Sequence, residues 1–498
     1  AAGGSPRYPA PSNDSHPKRC PTPMPNTLFQ EIRQLLALAL PLALAQLAQT
    51  SMGFIDTLMV GRLGNQGLAS IALGNTFFFF LLTLATGVLL AVGPLVSQAH
   101  GSGDQTAMGR AVRQGMWLAT GLTLLALPVF LNAGRLFVWL GQEPETAGLA
   151  ARYVQAIAWG FLPSLWFTCS RGLLEGLANP RPILLITLCG VLLNIVGDLV
   201  LMFGYLHVPA LGLVGTGYAS AAVFWLMFAL GVLYVRRHYR PYGIYATLRR
   251  PDPAALRELL AIGLPIGLTL GFETGMFTTT ALLMGLLGSL PLAAHQIAIQ
   301  TATLTFMVTV GVAIATSVRV GQAAGRRDAA ALRLSGFTGI GLGATFMMLT
   351  ALAFWLLPER IVSIYIDVRD PANAEVARLA AGFLMLAAGF QVFDGLQAVA
   401  AGALRGLKDT RAPMLISLAS YWGIGIGSGV LLAFGRGMGG RGLWLGLTFG
   451  LATAGLLLTV RFALSVRRFR ARMVYNADQT PADGCGGEYG SRVRNIHE

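Results

Sequence analysis

Residues 40–61 read LPLALAQLAQTSMGFIDTLMVG, and residues 264–285 read LPIGLTLGFETGMFTTTALLMG. The two stretches share Leu40-Pro41 with Leu264-Pro265, Thr50 with Thr274, Met52 with Met276 and Gly61 with Gly285. The match continues without a gap at a shift of 224 positions, so that residues 40–104 overlay 264–328 with 19 identities in 65. At its far end Ser97-Gln98-Ala99-His100-Gly101 meets Gly321-Gln322-Ala323-Ala324-Gly325, and Asp104 meets Asp328. A second block aligns at a shift of 230, placing Gly176-Leu177 on Gly406-Leu407 and Arg181 on Arg411. The chain is a duplication, and a long internal repeat governs the architecture because each copy is one structural unit.

Each copy is largely apolar. Over 498 residues, hydrophobic types make up 54%, charged types 12%, and mean hydropathy is +0.62. A soluble domain carries about twice that share of charge, and a disordered chain far less apolar surface. Runs of about 20 apolar residues cross a bilayer. Twelve such segments fall near 35–60, 71–97, 114–132, 152–174, 183–204, 212–235, 259–287, 292–318, 335–357, 378–403, 413–434 and 441–464. Six belong to each copy, and six is even, so the copies enter the membrane in the same orientation. The predicted fold is an all-α polytopic membrane protein, with twelve transmembrane helices in two parallel six-helix lobes around a central cleft. Parallel repeats of this kind are typical of secondary transporters. The expected divisions are a disordered tail at 1–30, an N-lobe at 31–240, an inter-lobe loop at 241–256, a C-lobe at 257–473 and a second tail at 474–498.

The net charge of +14 comes from 36 Lys+Arg against 22 Asp+Glu. In a soluble protein this would suggest nucleic acid. Here it is a topology signal, since basic residues concentrate on cytoplasmic loops. With the N-terminus inside, 28 basic residues fall on the cytoplasmic side and 8 on the other. The expected location is the inner membrane of the cell, multi-pass, with both termini cytoplasmic and membrane lipids as the surroundings. The clusters Arg236, Arg237, Arg240, Arg249, Arg250 and Arg467, Arg468, Arg470, Arg472 anchor that side. Cys20, Cys169, Cys189 and Cys485 are scattered and indicate neither a disulfide framework nor a zinc site.

Ionisable residues inside a span are costly and mark function by default. Four carboxylates lie well inside: Asp56, Asp198, Glu273 and Asp394. The repeat did not copy them, since Asp56 faces Thr280 and Glu273 faces Gln49. The lobes therefore share a fold but not a site. In the N-lobe, Asp56, Asn194, Asp198 and Thr216 come to broadly similar depth on a rise of about 1.5 Å per residue. Asn194 and Asp198, four apart, share a helix face. Such oxygen-bearing groups suit a proton relay or a hard monovalent cation. A hydrogen-bonded network that locks helices together is the structural alternative. In the C-lobe, Glu273 and Asp394 lie near the midplane, where an acid can carry a proton or exchange it for a cationic substrate. His295, Gln296, Gln300 and Gln391 are candidate supports. Gly423, Gly425, Gly427 and Gly429 form a GxGxGxG run inside an apolar span, which reads as close helix packing by small residues and not as a phosphate loop. No nucleophile motif, HExxH, P-loop or ATP-binding domain is found, so an ion gradient is the expected energy source, with no cofactor, no structural metal and no enzyme activity.

The sequence resembles the multidrug and toxic compound extrusion (MATE) transporters, in their NorM-type bacterial branch. The resemblance rests on Gln49-Thr50-Ser51-Met52-Gly53-Phe54-Ile55-Asp56-Thr57, Glu273, Ala293-Ala294-His295-Gln296-Ile297-Ala298, Gln391-Val392-Phe393-Asp394-Gly395-Leu396-Gln397 and Ala401-Gly402-Ala403-Leu404-Arg405-Gly406. It covers about residues 31–465 in consistent order. It implies two lobes around a cleft, and export of amphipathic, mostly cationic compounds in exchange for Na⁺ or H⁺. Asp56 matches the acid of the first helix, and Glu273 and Asp394 match the C-lobe acids. Asn194, Asp198 and Thr216 match an N-lobe cation site. The branch often carries a second Asn where this chain has Asp198, so the division of coupling between lobes stays open.

The leading expectation is a monomeric cation-coupled drug antiporter working by alternating access, its cleft lined by Phe272, Phe277, Trp166 and Trp422. A flippase for a lipid-linked saccharide would need an Arg-rich cavity, and nearly all Arg sits at cytoplasmic ends. A major-facilitator carrier also has parallel halves, but the loop Gly101-Ser102-Gly103-Asp104 to Gly109-Arg110 fits that family's motif poorly.

Overall fold

A computed structural model describes residues 27–61, 65–204, 209–240, 244 and 251–479. Residues 1–26 of the predicted tail, Arg249 and Arg250 with most of the inter-lobe loop, Cys20, Cys485 and the end of the second tail lie outside the described residues. The first copy forms α1 (Leu28–Val60), α2 (Asn65–Leu89), α3 (Val92–Ser102), α4 (Gln105–Leu131), α5 (Ala133–Trp139), α6 (Pro144–Ala158), α7 (Phe161–Gly176), α8 (Arg181–Leu201) and α9 (Leu213–His238). The second forms α10 (Pro253–Leu286), α11 (Ser289–Gly325), α12 (Ala329–Leu356), α13 (Pro358–Val362), α14 (Ala374–Gly406), α15 (Arg411–Leu418), α16 (Gly427–Val430) and α17 (Gly440–Gln479). The backbone on either side of α16 is π-helical, over Ala419–Ile426 and Leu431–Gly435.

Among the described residues, eleven helical stretches are long and apolar enough to cross a membrane. The remaining predicted span, at 152–174, is the pair α6 and α7, interrupted at Trp159–Gly160. The α9 backbone comes close at the interruption, for a Cβ on Gly160 would lie 2.8 Å from Ala221 Cα. Three expected limits move, the first because α1 begins at Leu28, capped by Thr27, inside the predicted tail. α10 begins at Pro253, capped by Asp252, inside the predicted loop, and α17 runs on to Gln479.

Local chemistry repeats with the sequence. Asp104 and Asp328, matched by the repeat, each cap the following helix, accepting from Ala107 N and Ala331 N at 2.9 Å. A side-chain oxygen at this position satisfies a backbone N–H that the helix leaves unpaired.

The contacts between lobes also come in reciprocal pairs. A Cβ on Gly87 would lie 2.6 Å from Gly267 Cα, and one on its counterpart Gly311 would lie 2.7 Å from the nitrogen of Ala43. Ala43 is itself the counterpart of Gly267. Glu31, at the start of α1, is fully buried. It accepts from Arg319 Nε and Nη2 at 2.9 and 2.6 Å and from Ser335 Oγ at 2.6 Å, fastening α1 to the second lobe. Arg110 of α4 pairs with Asp252, and the Asp252 N–H donates to Gln114 Oε1 at 3.0 Å, fastening α10 to the first. The two polar fastenings lie at helix ends, Glu31 in the first turn of α1 and Asp252 at the N-cap of α10.

Candidate functional site

Between the lobes lies a cavity of about 770 Å³, lined from α1, α2, α3, α7, α9, α10, α11, α14 and α15. Its walls are largely apolar, from Phe79, Phe167, Phe277, Phe306, Met307 and Phe390, with threonines Thr50, Thr83, Thr86, Thr269 and Thr274 between them. Apolar walls with a few convergent polar groups are the usual makeup of a small-molecule site.

Glu273 of α10 and Asp394 of α14 both line it. Gln397, one turn after Asp394, joins them. Its Nε2 donates to Glu273 Oε1 and to Asp394 Oδ1, each at 3.3 Å. Its Oε1 accepts from Tyr421 O–H at 2.8 Å. The amide is thereby oriented by a buried phenol, and both carboxylates converge on one donor.

The lining also holds charges that the sequence reading missed. Arg171 Nε donates to Glu175 Oε1 at 2.6 Å, four residues on along α7, and both line the cavity. Arg405 of α14 lines it too, within electrostatic range of Glu273 and Glu175. Arg171 and Arg405 do stand near the ends of their helices, as expected of nearly all Arg, but both also line the cavity. The repeat carried a signal. At the shift of 230, Glu175 falls on Arg405, an acid against a base at equivalent positions.

The other predicted residues separate. Phe277 lines the cavity, whereas Phe272, Trp166 and Trp422 do not belong to its lining. Trp422 Nε1 instead donates to Phe272 O at 3.2 Å. Gln391 is buried and donates to Thr305 Oγ1 at 2.5 Å, and His295 is buried against Trp444. Gln296 and Gln300 are exposed on α11.

A second polar cluster lies within the first lobe, apart from the cavity. Asp56, Asn194, Asp198, Thr216 and Ser220 come from α1, α8 and α9, and none is more than 5% exposed. Ser220 Oγ donates to Asp56 Oδ2 at 3.2 Å, and Asn194 and Asp198 lie within interaction range of Asp56. Both oxygens of Asp198, both polar atoms of Asn194, Asp56 Oδ1 and Thr216 Oγ1 find no hydrogen-bond partner in the protein. Among the described residues no group of three or more His, Cys, Asp or Glu is arranged to hold a metal.

The MatE family profile matches twice, over residues 41–200 and 265–431, once per lobe, the second match starting at the repeat's counterpart of the first. The chain belongs to the MatE family. MATE proteins are transporters and not enzymes. Curated relatives agree over nearly their whole length. A probable multidrug resistance protein NorM of Synechococcus sp. is 43% identical over 88% of this chain and 94% of its own. That of Pseudomonas aeruginosa is 40% identical over 88% and 90%. Among solved structures, an outward-facing conformation of a multidrug resistance MATE family transporter of the MOP superfamily matches with a TM-score of 0.80. It is 19% identical and covers 89% of this chain and 97% of that one, so its likeness speaks to the MATE fold alone.

Proposed function

We propose that this MATE protein is a secondary active multidrug efflux antiporter, exporting amphipathic, mostly cationic compounds in exchange for Na⁺ or H⁺. The observation that carries the reading is the pair Glu273 and Asp394, bridged by Gln397 on the wall of an apolar cavity between two lobes. Carboxylates in an apolar wall attract an organic cation, and the same oxygens take a proton or Na⁺. A site that holds one or the other exchanges them. The names of the relatives support the drug as cargo.

The lobes touch at the arginine-rich end, which the positive-inside rule places in the cytoplasm. The cavity would then open outward, and alternating access would require these contacts to part. A ligand shifts such an equilibrium only by its differential affinity for the two states. The first-lobe cluster around Asp56 and Asp198 is the second coupling candidate. Two carboxylates in one dry site need a shared proton or a cation between them. Phe277 is retained as the cavity's aromatic contact for substrate, and the protein is read as working as a monomer in the inner membrane.

The cavity arginines give the flippase reading a specific foothold. Arg171 is already paired with Glu175, and Arg405 sits beside Glu273 and Glu175, so the floor is balanced in charge and not a pyrophosphate cradle. Vesicles carrying the purified protein test both readings. A Na⁺ gradient or a pH gradient, imposed separately, should drive uptake of a fluorescent organic cation. Movement under neither gradient, with scrambling of a lipid-linked saccharide instead, would overturn the antiporter. Unchanged ion dependence in Asp56→Asn would remove the N-lobe from coupling.

A further inference from the structure

A second groove, of about 770 Å³, lies on the first lobe away from the central cavity, between α4, α7 and α9. Three rings form its wall. Trp166 lies 5.1 Å from Phe228 and 6.3 Å from Trp225, centroid to centroid, and Trp225 lies 6.4 Å from Phe228. Trp117, 38% exposed, and Leu233, 63% exposed, complete it, so the groove faces the surroundings of the lobe. Both indole N–H groups of the ring cluster are used inside the protein. Trp166 Nε1 donates to Met116 O at 3.2 Å and Trp225 Nε1 to Trp159 O at 3.1 Å. The rings therefore offer an occupant hydrocarbon contact and no donor.

One end of the groove is polar. Arg236 lines it in the last turn of α9, followed by Arg237 and His238. From Trp225 to Arg236 is eleven residues of helix, about 16 Å. That is close to half of a bilayer's hydrocarbon thickness of about 30 Å. The groove thus runs from the headgroup level on the arginine-rich side to the bilayer midplane. A cation entering it would meet Arg236, whereas an anionic headgroup would meet a matching charge. Basic residues at the edge of a membrane helix attract anionic lipid in this way.

We propose that this groove is a binding site for an anionic phospholipid, one acyl chain lying along Trp117, Trp166, Trp225 and Phe228 and the phosphate resting on Arg236. The occupant belongs to the inner leaflet's acidic lipids and not to the transported compounds.

The test uses the full chain in phosphatidylcholine liposomes doped with lipid brominated along its acyl chain, which quenches tryptophan on contact. Brominated phosphatidylglycerol should quench more than brominated phosphatidylcholine at equal mole fraction. Arg236→Gln should weaken that preference about five-fold, the effect of one basic residue near the surface. Ala229→Trp, which fills the groove, should remove it while Arg236 remains. Equal quenching by the two lipids in the unaltered protein overturns the proposal, as does a preference that survives both substitutions. Relief of quenching by tetraphenylphosphonium would make the groove a cation site. Cross-linking of two copies through a cysteine placed at Trp117 would make it a dimer face, and either result refutes the lipid assignment.

Discussion

Gln98 and Gln322, counterparts in the repeat, reach across the lobe boundary in opposite directions. Gln98 Nε2 donates to Gly406 O at 2.8 Å, and Gln322 Nε2 donates to Gly176 O at 3.0 Å. Gly176 and Gly406 are themselves counterparts. The backbones beside them nearly touch. A Cβ on Gly101 would lie 2.2 Å from Gln322 O, and one on Gly325 would lie 2.1 Å from Gln98 O. A pseudo-twofold axis therefore passes through this contact between the lobes, next to Glu175 and Arg405 of the cavity lining.

Gly101→Ala and Gly325→Ala should each push the lobes apart there. Overpacking against backbone costs about 1–3 kcal/mol, and the closed arrangement bears the whole cost because the open one lacks the contact. A cysteine placed at Thr269, on the cavity wall, reports the change. A membrane-impermeant maleimide added from the arginine-rich side should label it faster in the glycine variants. Equal labelling in all forms would mean that this contact does not close the cavity.

The C-lobe carboxylates give a sharper expectation. Asp394→Asn and Glu273→Gln should each abolish efflux of a fluorescent cation while the protein still inserts and keeps its thermal stability. Gln397→Leu should weaken transport without abolishing it, because both acids remain but lose the donor that Tyr421 orients. Full transport by both neutral variants would sink the assignment of this site.

The duplication was legible because both copies keep the residues that touch across the axis: Gln98 and Gln322, Gly101 and Gly325, Gly176 and Gly406. The four intramembrane acids were legible because a charge in an apolar run stands out. The cavity arginines were not. Arg171 and Arg405 stand near the basic ends of their helices, where charge is ordinary, and although the repeat sets Arg405 against Glu175, that match does not say which way either side chain faces. Trp166 misled for the opposite reason. An aromatic ring in the middle of a span suits a cleft or a lipid-facing wall equally, and periodicity does not say which side of the helix meets the other lobe.

The arginine-rich surface carries a pH-sensitive fastening. Asp252 accepts from Ala255 N and Ala254 N and faces Arg110 of the other lobe, and these contacts hold its carboxyl below the ordinary 3.8. A lowered value in the folded state means that the stabilisation is present above pH 3.8 and is lost as pH falls through the folded value. Asp252→Asn should flatten the fall in melting temperature on the acid side and leave the neutral value slightly lower. An unchanged acid limb would show that Asp252 contributes nothing to it.

The glycines of the run in the eleventh span differ in a way that an experiment can resolve. A Cβ on Gly446 of α17 would lie 2.4 Å from Gly429 Cα and 2.6 Å from Gly425 O, and one on Gly450 would lie 2.9 Å from Gly425 Cα. Gly425 and Gly429 are four apart and present one face to α17. Gly423 has nothing within 4 Å of a built Cβ, and Gly427 meets only Trp422 O at 3.9 Å. Two of the four glycines thus allow close approach, and small residues at four-residue spacing do this in membrane helices. Gly446→Ala should lower stability by about 1–3 kcal/mol because backbone must shift. Gly423→Ala should be neutral or stabilising, since alanine costs less conformational entropy than glycine in a helix by about 0.5–1 kcal/mol. Thermal denaturation of the purified variants measures both. The packing account requires opposite signs at the two sites, and equal losses at both would contradict it.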